Sequence, residues 1–88
     1  MILPLAFVET AIMRRHAFVR AAWDDDAKVW YVEESDISGL ATEADTLEAL
    51  MQRIRDIIPD LLDGVEDVPE HIEIDLIAHT HERVATAA

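Results

Sequence analysis

One apolar stripe constrains this chain more than any other feature. Leu47, Leu50, Met51, Ile54, Ile57, Ile58, Leu61 and Leu62 recur at intervals of three and four residues, the spacing of one face of an α-helix. Glu48, Gln52, Arg53, Arg55, Asp56 and Asp60 occupy the other side. A helix divided in this way must lay its apolar face on something. Its start is marked by Asp45 or Thr46, whose side-chain oxygens can accept from the unpaired amides of a first turn, and Glu48 stands where it could close a capping box with Asp45. Pro59 removes one backbone donor, which predicts a kink or a short last turn, and Gly64 is the expected stop.

The rest of the chain offers strands to cover that stripe. From His16 to Trp23, Ala17, Val19, Ala21 and Trp23 alternate with Phe18, Arg20 and Ala22, the two-residue period of a pleated strand. Asp24, Asp25 and Asp26 have turn-forming side chains, and Lys28 to Glu34 is rich in β-branched and aromatic residues. Together they predict a hairpin with its loop around Asp24 to Ala27. Ser35 to Gly39 has turn composition, with Gly39 free to take a positive φ, and Leu40 to Ala44 predicts a short third strand. After an acidic connector, Ile72, Ile74, Leu76 and Ala78 alternate with Glu73, Asp75, Ile77 and His79, which predicts a last strand ending near Val84. The expected architecture is α+β: an antiparallel sheet of three to four strands in the order β-β-(β)-α-β, with one helix packed on one face.

At 88 residues the chain has room for one core and one domain. Residues 1–12 read as an N-terminal extension, present or absent according to whether translation starts at Met1 or Met13. Residues 13–88 read as the domain itself. No basic residue precedes the apolar run at the start and Glu9 interrupts it, so an export signal is not expected. No apolar stretch reaches the ~20 residues that span a bilayer. The absence of cysteine excludes disulfides, thiolate zinc sites and cysteine nucleophiles, and a cytoplasmic location fits it. Nineteen acidic against seven basic residues give a net charge of −12, a field that repels nucleic-acid phosphates and attracts a basic protein.

Candidate chemistry is sparse. Asp24, Asp25 and Asp26 lack the alternate spacing, Gly and distal Glu of a calcium loop, and read as a solvated turn whose charge speeds encounter with a cationic partner. His79 and His81, two apart on the expected strand, would share a face with Glu73 and Asp75, but a closed metal site needs more ligands than these. Ser35 and Ser38 sit where turn hydroxyls bond the backbone, with no histidine assignable to them. Gly39 and Gly64 are the only glycines, so no Gly-rich phosphate loop exists. Neither a catalytic residue, a metal nor a cofactor is expected. The aromatic residues Trp23, Trp30 and Tyr31 fit core and cross-strand packing, yet adjacent Trp30 and Tyr31 cannot both face the helix. One of them must lie on the uncovered face, and Ile77 on the polar side of the last strand points to the same surface.

The stretch Ser35-Asp36-Ile37-Ser38-Gly39-Leu40-Ala41-Thr42-Glu43-Ala44-Asp45-Thr46-Leu47-Glu48-Ala49-Leu50 resembles the central signature of HicB-like antitoxin domains. That signature is an Asp-hydrophobic-Pro-Gly turn, a short strand with Thr, an Asp-Thr helix start and a Glu-Ala-Leu first turn. Val29 to Val32 and Ile57 to Leu62 look like a short sub-branch of that family, and the likeness runs over residues 15–64. Ser38 stands where the family usually has Pro and Ala44 where many members have Gly. The resemblance implies a partial RNase H-like fold without its active-site carboxylates, which binds and neutralises a small toxin ribonuclease. The separate DNA-binding module of full-length antitoxins is not expected within this chain, nor is operon autoregulation by it alone.

Three readings of function follow. The first is an antitoxin-like protein whose acidic surface and open sheet face mask a small basic toxin, with Trp30 or Tyr31, Asp24, Asp25, Asp26 and Ile77 as contact candidates. The second is a stand-alone structural or regulatory module that forms homo-oligomers and has no toxin partner. The third, a residual ribonuclease, requires clustered carboxylates and loss of activity on chelation.

Overall fold

The computed structural model describes residues 16–87; the expected N-terminal extension at residues 1–12 lies outside them. Strand β1 (His16–Asp24) and strand β2 (Val29–Ser35) form the expected hairpin. Its turn is held by Asp24, whose carbonyl accepts from the Lys28 N–H at 2.7 Å and whose Oδ1 accepts from the Asp26 and Ala27 amides. Lys28 takes φ 60 to close it.

The third strand is shorter than expected: β3 is Glu43–Ala44, paired antiparallel to Trp30 and Tyr31. Leu40 is instead buried in the core beside Ile37, its N–H donating to the Ile37 carbonyl. The Gly39 turn that brings it there has φ +87, as its residue type predicted.

Helix α1 (Leu47–Leu61) begins at Thr46, whose Oγ1 accepts from the Ala49 N–H at 3.0 Å. Thr46, not Asp45, is therefore the cap, and the Asp45–Glu48 box does not form. Pro59 sits in the last turn, which ends as Leu62 donates to the Ile58 carbonyl; Gly64 follows at φ +83. Leu50 and Ile54 from the stripe are 0% exposed, as is Val19 beneath them. Complete burial of such side chains contributes about 1.5–3 kcal/mol each.

Strand β4 (Glu73–His79) brings one correction to the expected sheet. It lies beside β1 and runs parallel to it, giving the order β3-β2-β1-β4 among the described residues. The cause is the helix. A chain leaving β3 crosses over the sheet through α1 and returns in the direction of β3, which is also that of β1, because β1 and β3 are both antiparallel to β2. The α+β class with a helix on one face stands, with a mixed rather than wholly antiparallel sheet. The strand also ends at His79 rather than near Val84, because Thr80 to Arg83 leave the sheet edge and run beside Trp23, Trp30 and the start of α1.

Candidate functional site: the open face of the sheet

Register decides which side chains the uncovered face displays. Ala17, Val19 and Ala21 lie under the helix with Val32, Ile74 and Leu76, so their alternates point away: His16, Phe18, Arg20 and Ala22 on β1. A shift between Arg20 and Ala21 leaves Glu33 as an extra residue in β2, so Arg20 pairs with Glu34 while Ala21 pairs with Val32. Beyond that bulge Ala22 stands opposite Tyr31, and Trp23 opposite Trp30. Tyr31 is therefore on the open face and Trp30 on the helix face. Ile77 pairs with Arg20 and His79 with Ala22, so both join the open face from β4.

The surface so built has a mixed centre and an acidic rim. Phe18 and Tyr31 are half-buried, and Ile77 is 48% exposed. Between them the Arg20 guanidinium donates to Glu34 at 2.9 Å, and His16 pairs with Asp75. Both pairs are exposed, so their worth is positional more than energetic. Glu33, Glu34, Glu43, Glu73 and Asp75 keep the charge balance of the region negative.

Trp30 lies on the helix side of β2, half-buried. Its ring lies 5.5 Å from that of Trp23, tilted by 60°, within the range of favourable aromatic pairs. Both line a groove of about 690 Å³ with Thr46, Leu47, His81 and Arg83. His81 thus sits on the other side of the sheet from His79, and the expectation that the two histidines share a face is corrected. The expectation rested on a strand continuing past His79, which it does not. Among the described residues no three His, Asp or Glu side chains come together as metal ligands.

At the hairpin tip, the three aspartates are not equivalent. Asp24 is committed to the turn, as its two accepted amide bonds show. Asp25 accepts from Lys28 Nζ at 2.9 Å and from the Trp23 indole N–H. The Lys28 hydrogen bond, then that of Trp23, then the Lys28 charge hold its carboxyl below the usual carboxylate range. Asp26 is exposed, with only its backbone N–H engaged.

Ser35 and Asp36 have a role that sequence alone left at turn chemistry. Where the β1–β2 ladder ends, Ser35 Oγ donates to the Phe18 carbonyl and Asp36 Oδ1 accepts from the Phe18 N–H at 3.1 Å. The same hydroxyl accepts from the Ile37 N–H. The two side chains thus complete both backbone groups of Phe18 and fix the ring at the lower end of the open face.

Residues 16–87 match a family described as Domain of unknown function (DUF1902). Among solved structures, the chain is similar to the hypothetical protein TTHA1013 from the extremely thermophilic bacterium Thermus thermophilus. The two are 34% identical, the match covers 80% of this chain and 97% of that one, and the TM-score is 0.56. No curated protein matches the chain. Among the described residues no helix is long and apolar enough to cross a membrane.

Proposed function

The chain belongs to the DUF1902 family, and we propose that it is a non-catalytic protein-binding domain of the HicB-like antitoxin type, which occludes a small basic toxin ribonuclease. The observation that carries this reading is the open sheet face: Phe18, Tyr31 and Ile77 offered to solvent within an acidic rim. Aromatic and aliphatic anchors at the centre of a polar surround are the usual makings of a protein interface. The net charge of −12 supports a cationic partner, since complementary fields raise encounter rates and disfavour nucleic acid. The resemblance of Ser35 to Leu50 to the antitoxin signature supports the choice of a toxin.

Mechanistically this is occlusion. The partner's basic surface is drawn to the hairpin tip and rim, Tyr31 and Ile77 seat against its apolar residues, and the RNA-binding side of the toxin is covered. The protein performs no chemistry on RNA, holds no metal or cofactor, and acts in the cytoplasm. Trp30 contributes indirectly, by fixing through Trp23 the strand that carries Tyr31.

Tagged protein recovered from its native cells, with mass spectrometry of the bound species, tests the reading. A stoichiometric small basic protein is expected, and the chain recovered by itself even at low salt would contradict it. With that partner in hand, Asp24→Asn, Asp25→Asn and Asp26→Asn together should slow association and flatten its salt dependence. Asn keeps the oxygen acceptor that the turn uses at position 24, so the loop persists. Unchanged kinetics would remove the hairpin tip from the interface.

A further inference from the structure

The two edges of the sheet differ. Edge β3 is two residues long, whereas edge β4 is seven, with β1 on one side and, among the described residues, no strand on the other. Among the described residues, the outer side of a strand of that length presents a row of N–H and C=O groups without a strand partner, ready to take another strand. Proline and inward-pointing charge, which would prevent this, are absent from Glu73 to His79: its acidic residues point to the open face.

We propose that β4 pairs antiparallel with β4 of a second copy, about a two-fold axis at Leu76. A self-complementary contact between identical strands is antiparallel by symmetry, and residues directly opposite share a face, so the pairing must keep alternation intact. Centred on Leu76, Glu73 meets His79 at both ends, Ile74 meets Ala78, Asp75 meets Ile77, and Leu76 meets itself. All seven residues are paired. A centre at Asp75 would set that carboxylate against its own copy. A centre at Ile77 would require His81, which has left the strand for the groove beside Trp23 and Trp30.

Packing favours the same arrangement. Helix α1 buries Val19 and Ala21 of β1 but leaves Ile74 and Leu76 of β4, which pack against the same core, half-buried. Near Ile74 a groove of about 580 Å³ lies between the second half of the helix, the connector and the start of β4, lined by Ile54, Ile58, Val68, Ile72 and Ile74 with Arg55 and Glu70 also on its wall. Pairing two β4 strands brings Ile74, Leu76 and Ala78 of both copies together on that side and extends the sheet across the dimer. This assembly uses the edge of the sheet rather than its open face, and does not depend on the antitoxin reading.

Charge gives the dimer a signature of its own. Two chains of −12 repel, so self-association should strengthen as salt rises, whereas docking of a basic partner should weaken. Sedimentation equilibrium of the full chain, at low and moderate salt and from micromolar to near-millimolar concentration, should show a reversible dimer that tightens with salt. Glu73→Lys removes the carboxylate acceptor opposite the His79 ring at both ends of the contact, and should weaken the dimer by about tenfold or more. Adding His79→Glu sets a carboxylate opposite the new lysine and should recover the dimer. Both positions are exposed, and circular dichroism of each variant confirms its fold. A monomer throughout the range, a dimer indifferent to Glu73→Lys, or a Glu73→Lys variant that His79→Glu does not rescue would each overturn the proposal.

Discussion

The two faces of this sheet are built from the same strands and composed in opposite ways. On the helix side, β1 contributes Ala17, Val19 and Ala21, small side chains buried beneath Leu50 and Ile54. On the open side the same strand contributes Phe18 and Arg20, long side chains left in reach of solvent. Small residues let the helix come close; large ones, with Tyr31 and Ile77, give the other face relief and apolar area. Stability is thus concentrated on one face, and the proposed binding surface lies on the other.

Substitutions should separate the two. The largest loss of stability is expected from Ile54→Ala or Leu50→Ala, about 2–5 kcal/mol for a buried aliphatic truncated in a packed core, read as a lowered denaturant midpoint. A small domain has little more than that to lose, so either variant should be largely unfolded. By contrast Tyr31→Ala should cost far less stability and instead weaken partner binding by about 2 kcal/mol or more, as an interface anchor does. If Tyr31→Ala melted the fold as Ile54→Ala does, the division between the faces would fail.

The turn and cap positions come next. Gly39→Ala forces a side chain into φ +87 with its Cβ 3.3 Å from Leu61, and should destabilise by about 1–2 kcal/mol in chemical denaturation. Thr46→Ala removes the helix cap, at about 1 kcal/mol. Asp25 should matter least. Its folded carboxyl is held below the usual range, so the stability it lends is present above the ordinary carboxylate pKa and lost as pH falls through its lowered folded value. The group is fully exposed, and Asp25→Asn should flatten the acid side of a stability-against-pH curve only slightly.

The contrast between the faces also marks what could be read from the sequence. The hairpin, the helix, its start to within one residue and the Gly39 and Gly64 turns were legible because each is written in neighbouring residues: a period, a cap, a positive φ; that Thr46 and not Asp45 caps the helix was not. That Trp30 and Tyr31 must part company followed from alternation alone. Which of them faced the helix did not, because that depends on how β2 is paired across the Glu33 bulge and which side α1 covers. The direction of β4 was missed for a related reason. Alternation in Glu73 to His79 is the same for a parallel or an antiparallel neighbour, and only the crossover through α1 decides between them. The end of that strand was lost to a tertiary contact, the Thr80 to Arg83 segment turning toward Trp23 and Trp30. Ile77 was visible from the outset as an apolar residue on a polar face, whereas the service of Ser35 and Asp36 to Phe18 required the end of the ladder to be known.

The most direct test is an NMR titration of the isotopically labelled chain with the proposed small basic partner. Shifts concentrated at Phe18, Arg20, Tyr31 and Ile77, with Leu50 and Ile54 unmoved, are what the account predicts. Shifts confined to the helix α1 surface or to the groove beside Trp23 and Trp30, with the open face silent, would contradict it.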